Sequence, residues 1–427
     1  MRVNAQLETR LVQRWLPWPK RFDVALLSFF AMIIALCDRV NISVAAPSIM
    51  QEYAWDTVQM GWALSGFFIG YSFFMIPMGI LVDKYSPKGL LAWSVAWWSL
   101  FTALTPLPKS ILSMTFVRIL MGAAESGVIP SMNGILVRWF PRHEYSRAAA
   151  FSWSGGFAGA IIAFPLASAV MGLWGWRAIF IAFALLGAVW LPIWILSTDD
   201  DPAASRGVSN AELDYILDGA PQMDTVKTVP WGKILNLSAL WGVLSLHFSS
   251  NWLSYILMSW LPTYLIRERH FSLTNMAIGS SLPFLSAFLG SNLFGFVIDR
   301  LSVGRDRTLV RKLFLLPYAI TPVTLFLLPF ASTPSTIVLL LCLSMFLMSA
   351  VHPVFASGSL EIAPRYAGTV VAIQNSLANG AGVLVPVVTG YVVKLAGWSA
   401  AFWLTGLIIV AGILMYLWFG QARRLVD

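Results

Sequence analysis

Four ionisable residues lie inside long apolar segments: Asp38 and Arg39 in one, and Arg118 and Glu125 in another. A charge at the centre of a bilayer costs at least about 2.5–3.5 kcal/mol on insertion scales. Such residues usually face the interior of a bundle or a water-filled path, where they handle an ion or a charged solute. The four side chains therefore predict transport chemistry, in which arginines bind an anionic group and carboxylates carry protons.

Arg39 lies near the middle of its apolar segment, about ten residues from the outer end at about 1.5 Å per residue. Its planar guanidinium group matches a carboxylate or a phosphate, so we expect Arg39 to bind the anionic group of a substrate. The alternative is a permanent structural ion pair. Asp38 points about 100° away around the helix and need not neutralise its neighbour.

Burial favours the protonated form of a carboxyl group, and a nearby arginine favours the ionised form. Asp38 therefore has two interpretations, a proton carrier or a structural bond between helices. Arg118 and Glu125 are seven residues apart, on one helix face and about 10 Å apart along the axis, too far to pair directly. Glu125 stands in a run of small residues, Gly122–Gly127, which allows close helix approach and leaves room for a cavity.

Composition places these charges in a membrane protein. The chain is 58% hydrophobic and 11% charged, whereas soluble domains carry about 25% charged residues. The apolar stretches are continuous rather than alternating, so they predict helices long enough to cross a bilayer. We predict an all-α membrane protein with twelve spans, at 23–48, 58–82, 88–106, 110–138, 147–171, 177–197, 237–265, 273–298, 311–331, 335–360, 366–393 and 398–419.

The distribution of lysine and arginine sets the predicted orientation. With the N-terminus in the cytoplasm, the cytoplasmic segments hold about four times as many of these residues as the outer segments, which is the positive-inside pattern. The net charge of +8 follows from this topology and gives no reason to expect a nucleic-acid partner. We expect a multi-pass protein of the bacterial cytoplasmic (inner) membrane with both termini in the cytoplasm.

One long polar interruption divides the spans into two groups of six. A short amphipathic helix is expected within it, near residues 211–218. We divide the chain into a cytoplasmic N-terminal segment (1–22), a first six-helix bundle (23–197), a cytoplasmic linker (198–236), a second six-helix bundle (237–420) and a cytoplasmic tail (421–427).

The two halves share sequence markers in the same order and at nearly the same offset. GILVDKYSPK at Gly79–Lys88 matches GFVIDRLSVG at Gly295–Gly304, and GWRAIF at Gly175–Phe180 matches GWSAAF at Gly397–Phe402. These matches indicate a duplicated six-helix unit. Parallel repeats of this kind place a solute site near the midplane, between the halves.

The second half offers neutral polar residues rather than charges inside its spans. Asn375 and Asn379 stand one helical turn apart, so their amides could bond hydroxyl groups of a solute. Ser357 is a weaker candidate for the same role. His247 and His352 could titrate, although a histidine inside a membrane helix is more often a hydrogen-bonded packing residue. We expect the first half to handle charge and the second half to shape selectivity.

The marker Gly79-x-x-x-Asp83-Lys84 resembles the loop signature of the major facilitator superfamily, with departures at Ser86 and Gly89. The second half repeats the marker at Gly295. The resemblance implies two pseudo-symmetric six-helix bundles and a loop that gates the cytoplasmic face through contacts between aspartate and arginine. We expect Asp83, Asp299 and Arg142 to be gating residues of this kind. Glu361 and Arg365 lie at a cytoplasmic helix end, where a gating salt bridge is expected rather than contact with a substrate.

Three further stretches resemble the anion:cation symporter family, which includes bacterial sugar-acid transporters, vesicular glutamate transporters, sialin and plastid anion carriers. They are CDRVNISVAAP at Cys37–Pro47, FVRILMGAAESGVIP at Phe116–Pro130 and LEIAPRYAG at Leu360–Gly368. The resemblance implies that Glu125 is a coupling proton site. It also implies that Arg118 tunes that site and that Tyr71 faces the substrate.

Together these features predict proton-driven symport of an organic anion, a sugar acid or another carboxylate, by a monomer that alternates access between the two sides. Protons would neutralise Glu125 and Asp38, and Arg39 would then bind the carboxylate with help from Arg118. We expect no metal and no cofactor other than the coupling proton. A sodium-coupled or uncoupled carrier of anions or phosphate, and a transporter-like solute sensor, stay open as alternatives. An enzyme is disfavoured because no nucleophile–base pair or metal-spaced histidine cluster is found.

Overall fold

The computed structural model describes residues 18–218, 231–362 and 367–421, and these residues are almost entirely helical. The first half contains α1 (Lys20–Glu52), α2 (Thr57–Lys84), α3 (Pro87–Leu104), α4 (Ile111–Glu125), α5 (Val128–Trp139), α6 (Arg142–Trp174) and α7 (Trp176–Ser197). The segment between the halves contains α8 (Asn210–Asp218) and α9 (Trp231–Leu235). The second half contains α10 (Ser238–Thr263), α11 (Leu273–Leu301), α12 (Arg307–Leu313), α13 (Leu315–Leu327), α14 (Pro334–Met348), α15 (His352–Ile362) and α16 (Ala367–Phe419).

These helices make twelve crossings of the bundle. Nine segments of the described chain are long and apolar enough to cross a membrane, and α3 and α10 add two more crossings. The last of the nine, Ile373–Phe419, contains a non-helical glycine, Gly397, at which α16 divides into two helices. The predicted twelve-helix, all-α membrane fold is therefore confirmed. The division of the chain into an N-terminal segment, two bundles, a linker and a tail, with the bounds given above, stays a prediction.

The chain reverses between paired crossings at the same kind of residue in both halves. Gly175, between α6 and α7, has a φ of 83°, and Gly397, within α16, has a φ of 78°. Only glycine adopts this left-handed backbone without strain. The two glycines begin the matched sequences GWRAIF and GWSAAF, so the repeat seen in the sequence recurs as one local backbone geometry.

The fourth crossing is locally distorted immediately after the residue that carries its carboxylate. α4 ends at Glu125 and α5 begins at Val128, with Ser126 and Gly127 between them. Pro130, in the first turn of α5, has no N–H to donate to the carbonyl group of Ser126. The missing hydrogen bond explains this local distortion, which lies within the single span predicted at 110–138.

The two ends of the bundle differ in how closely the halves pack. We name the end at which α1 begins and α8 lies the linker side, and the end at which α1 finishes the far side. On the far side, the Thr57 hydroxyl donates to the Gly390 carbonyl oxygen over 2.7 Å, and the Ser65 hydroxyl donates to the Val383 carbonyl oxygen over 2.6 Å. On the linker side, a cavity of about 900 Å³ separates α2 and α5 from α16. The far side is therefore closed and the linker side is open.

Candidate functional site

An ion pair joins the first and fourth crossings where the two halves meet. Arg39 Nε on α1 donates to Glu125 Oε1, the last residue of α4, over 2.6 Å. The side chain of Arg39 is 13% exposed, whereas that of Glu125 is fully buried. Glu125 Oε2 has no hydrogen-bond partner in the described structure. The arginine thus keeps access to the space between the halves while its partner is sealed behind it.

Two aromatic rings of α2 contact the same guanidinium group. The Arg39 Cζ atom lies 4.6 Å from the ring centre of Tyr71 and 5.2 Å from that of Phe67, within range of cation–π attraction. These rings reach Arg39 because α2 packs directly against α4. A Cβ atom on Gly122 would lie 1.9 Å from the Phe67 carbonyl oxygen, and one on Gly70 would lie 1.9 Å from the Ile119 carbonyl oxygen. The small residues therefore set the position of Tyr71, which the sequence placed beside the substrate.

The second half completes this layer with an aromatic residue and an amide. The Tyr255 hydroxyl on α10 donates to Asn379 Oδ1 on α16 over 2.5 Å. The Tyr255 ring packs edge-on against Phe68 of α2 with ring centres 4.7 Å apart, and Tyr255 lies near Arg39. The structure therefore places Arg39, Tyr71 and Asn379 in one layer, and their roles toward a substrate stay predictions. It adds Tyr255, which the sequence analysis did not include among the site residues.

Arg118 is buried inside the first half. Its side chain is 1% exposed, its Nη1 atom lies 2.9 Å from Met121 Sδ, and its Cζ atom lies 5.5 Å from the Phe67 ring centre. It interacts electrostatically with both Glu125 and Asp38, and its Nε has no hydrogen-bond partner in the described part. This placement fits a residue that tunes Glu125, but it does not fit direct contact with a substrate.

Asp38 is enclosed within the first half, on the side of α1 that faces α3. Trp98 Nε1 donates to Asp38 Oδ2 over 3.0 Å, Asn41 Nδ2 lies 3.4 Å from Asp38 Oδ1, and the side chain is fully buried. The carboxyl group does not line the space between the halves. This geometry favours the structural interpretation of Asp38, and its role in proton transfer stays a prediction.

Two predicted substrate contacts lie outside the layer of Arg39. Asn375 lines the linker-side cavity, one helical turn from Asn379 toward the linker side. Ser357 is hydrogen-bonded within the second half: its hydroxyl accepts from Arg311 Nη2 over 2.8 Å and donates to the Pro353 carbonyl oxygen over 2.6 Å. Its role as a substrate contact stays a prediction. Arg311 itself is buried in α12, although the sequence analysis placed it at the cytoplasmic edge of a span.

The predicted gating residues lie at the open side or outside the described residues. Asp299, near the end of α11, and Arg142, at the start of α6, are both exposed. The side chains of Asp83 and Glu361, and all of Arg365, lie outside the described residues. The Asp–Arg gating contacts therefore stay a prediction.

The two histidines of the second half are packed against a shared phenylalanine. His247 Nδ1 lies 2.9 Å from Gln374 Nε2, and its ring stacks on Phe355 with centres 4.1 Å apart. His352 Nδ1 lies 2.8 Å from Ser291 Oγ, and its ring meets the edge of Phe355. Both histidines therefore make the contacts expected of hydrogen-bonded packing residues.

A twelve-helix membrane bundle, with a charged layer between its halves and a closed and an open side, defines a membrane transporter. The chain belongs to the Major Facilitator Superfamily, whose sequence model matches residues 28–386. The fold agrees with that assignment. A bacterial homologue of the human lysosomal transporter Spinster, solved in an inward-facing and occupied conformation, superposes with a TM-score of 0.78 at 17% identity, over 94% of this chain and 97% of that chain.

Relatives that match nearly all of this chain narrow the resemblance to anion transporters. The probable anion transporter 4, chloroplastic, of Oryza sativa subsp. japonica is 32% identical over 97% of this chain and 71% of its own length. Two proteins of Arabidopsis thaliana are each 31% identical over 97% of this chain: the chloroplastic sodium-dependent phosphate transport protein 1, over 81% of its length, and the chloroplastic ascorbate transporter, over 77%. The predicted relationship to anion transporters is confirmed, and the relatives and the fold are those of transporters rather than enzymes.

Proposed function

We propose that this protein is a proton-coupled symporter of an organic anion, a sugar acid or another carboxylate. The observation that carries the proposal is the 2.6 Å ion pair between Arg39 and Glu125 at the layer where the halves meet. An incoming carboxylate and the Glu125 carboxylate compete for one guanidinium group. Protonation of Glu125 removes the competitor, so the proton and the anion each favour binding of the other, as linkage requires.

The charges at this layer give the coupling its direction. With Glu125 ionised, the pair with Arg39 is neutral. A carboxylate that entered alone would leave a net negative charge in a buried site, which is costly. A carboxylate that enters with a proton on Glu125 restores neutrality, because the substrate takes the place of the glutamate beside Arg39.

Two features of the structure support alternating access about this layer. The far side is closed by the hydrogen bonds from Thr57 and Ser65, and the linker side opens into the cavity. The positive-inside pattern assigns the linker side to the cytoplasm, so this arrangement corresponds to an inward-facing state. We place the protein, as a monomer, in the bacterial cytoplasmic membrane with both termini inside. The plant relatives named above are chloroplastic. Fractionation of the native cell, with an antibody against this chain, tests the assignment to the cytoplasmic membrane.

The test is uptake by proteoliposomes that contain purified protein. We expect Glu125→Gln to abolish accumulation of galactonate driven by a pH gradient and to retain exchange of galactonate across the membrane. Glu268→Gln is the matched control, because Glu268 is exposed on the far side and makes the same change of charge. Normal pH-driven accumulation by the Glu125→Gln variant would overturn the proposal.

A second candidate function is a sodium-coupled or uncoupled carrier of anions, including phosphate. It is favoured by the similarity to the sodium-dependent phosphate transport protein 1 and by the ability of a guanidinium group to bind phosphate. Uptake of phosphate that follows a sodium gradient at equal pH would select this function. A solute sensor would bind a carboxylate without transporting it. Binding would raise the melting temperature of the protein, and proteoliposomes would show no uptake.

A further inference from the structure

The cavity on the linker side extends the charged layer toward the open end. Along α2, the cavity begins at Met75, one turn beyond Tyr71. Along α4 and α5, Asn133 lies eight residues beyond Glu125 and Arg138 lies thirteen, which places them about 12 Å and 20 Å further along the fourth crossing. A solute that leaves Arg39 for the open side therefore passes these residues.

The cavity wall is mostly apolar, and its few polar residues come from both halves. Asn133 and Arg138 on α5 face Asn375 and Ser376 on α16. Arg138 is the charged residue among those described along this wall. A site that needs these four residues exists only while the linker side is open, because it lies between the two halves.

The amides and the hydroxyl of this wall are available to a ligand. No hydrogen bond of the Asn375 or Ser376 side chain occurs among the described residues, whereas the Asn379 side chain, one turn away, is bonded to Tyr255. Asn133 Oδ1 accepts from Trp153 Nε1 at 3.4 Å, which leaves the amide N–H groups of Asn133 for another partner. Hydrogen-bonding groups that line a cavity without protein partners point to a polar occupant.

Arg138 is only loosely neutralised. Its Nη1 atom lies 3.7 Å from Asp200 Oδ1, and its side chain is 45% exposed. The Asp200 carboxylate is already hydrogen-bonded at the start of α3. It accepts hydrogen bonds from the Ser86 hydroxyl and from the Lys88 backbone N–H, the latter at 2.9 Å. The guanidinium group can therefore bind a further anion without breaking a strong pair.

We propose that this cavity holds a second anion site, at which a carboxylate bound by Arg138, Asn133, Asn375 and Ser376 pauses between Arg39 and the linker-side solution. The inference rests on the proposed function for the identity of its occupant. The site sets the apparent affinity for the anion on the linker side only, because the closed far side has no access to it.

The first test measures anion preference at the site without a transported substrate. In a chain with Cys342→Ser, Asn133→Cys is reacted with a sulfonate-bearing and an ammonium-bearing methanethiosulfonate, and the ratio of the two rates is compared between variants. We expect Arg138→Gln to lower the preference for the sulfonate by about fivefold. Arg206→Gln, an exposed arginine of the linker, should leave the ratio unchanged. An equal ratio with and without Arg138 would overturn the site.

The second test measures the consequence for transport in proteoliposomes of one orientation. We expect Arg138→Gln to raise the half-saturation concentration of galactonate on the linker side at least threefold and to leave the far-side value unchanged. Equal changes on both sides, or none, would overturn its role in release. If the wild-type protein does not transport galactonate, the proposed substrate is wrong, and the labelling ratio alone decides whether the anion site exists.

Discussion

Asp38 and Arg39 are consecutive in sequence, yet their side chains belong to different parts of the molecule. Asp38 accepts a hydrogen bond from Trp98 inside the first half, whereas Arg39 pairs with Glu125 at the layer between the halves. The rotation of about 100° per residue separates the two charges. One turn of α1 therefore carries both a buried, hydrogen-bonded carboxyl group and a guanidinium group that a solute can reach.

The first prediction concerns the hydrogen bond between Asp38 and Trp98. Trp98→Phe removes the N–H donor and leaves a buried carboxyl group with poorer hydrogen bonding, so we expect a loss of about 1.5–3 kcal/mol of stability. Thermal unfolding in detergent measures the change. Trp97→Phe is the control, because Trp97 is 41% exposed. Equal melting temperatures for the two variants would show that the hydrogen bond does not stabilise the first half.

The second prediction concerns the ion pair of Arg39 and Glu125. Arg39→Gln leaves Glu125 buried without its partner, and breaking a buried pair in this way costs about 3–5 kcal/mol. Adding Glu125→Gln should recover most of the lost stability, because the double variant no longer contains either member of the ion pair. Melting temperatures of the four proteins in the cycle measure the coupling.

The exposed pair of Lys394 and Asp56, whose side chains are 54% and 40% exposed, provides the comparison. Exposed pairs contribute little to stability, so the same cycle there should show a much smaller coupling. Equal coupling in the two cycles would mean that burial does not strengthen the pair of Arg39 and Glu125.

The sequence predicted the helices and the candidate charges well, because both are local properties. A continuous apolar run determines a crossing whatever surrounds it, and a charge in such a run is conspicuous. The linker helix expected at 211–218 is present as α8. The close contact of α2 with α4 could also be anticipated from Gly70 and Gly122.

The choice of partners could not be predicted, because it depends on which helices become neighbours. Glu125 bonds to Arg39, which lies 86 positions away, and not to a residue of its own helix. Ser357 was expected beside the substrate, but α12 brings Arg311 to its hydroxyl. The polar residues of the linker-side cavity have no spacing signal of their own, since Asn133 and Asn375 meet only after the halves pack.

The third prediction concerns the pH dependence of uptake. A hydrogen bond from the Lys394 ammonium group holds the pKa of Asp56, in the loop before α2, below its usual value. A carboxylate with a lowered pKa stabilises the closed far side at all pH values above its unfolded pKa of about 3.9, and that contribution is lost as the pH falls through the lower folded pKa. The pair is therefore intact from pH 5 to 8.

We accordingly expect Asp56→Asn to change the rate of galactonate uptake without changing the shape of its pH profile between pH 5 and 8. Glu125→Gln should flatten the same profile. Initial rates at fixed membrane potential measure both. A profile displaced by Asp56→Asn would mean that the far-side pair, and not the central layer, senses the proton.

The fourth prediction concerns the packing that closes the far side. A Cβ atom on Gly61 of α2 would lie 2.6 Å from the Pro386 carbonyl oxygen of α16. Backbone cannot yield as a flexible side chain does, so Gly61→Val should hold the two helices apart and favour the state that is open on the far side. Ser65 is fully buried in the same contact, and its replacement by cysteine reports the opening.

We expect a membrane-impermeant thiol reagent, applied from the far side, to react with Ser65→Cys at least tenfold faster when Gly61→Val is present. Gly79→Val is the matched control, because a Cβ atom on Gly79 of the same helix meets nothing within 4 Å. A similar acceleration by both glycine variants would indicate general loosening of α2. No acceleration by Gly61→Val would show that the contact between Gly61 and Pro386 does not hold the far side closed, and closure would then depend on other contacts, such as the hydrogen bond of Thr57 to α16.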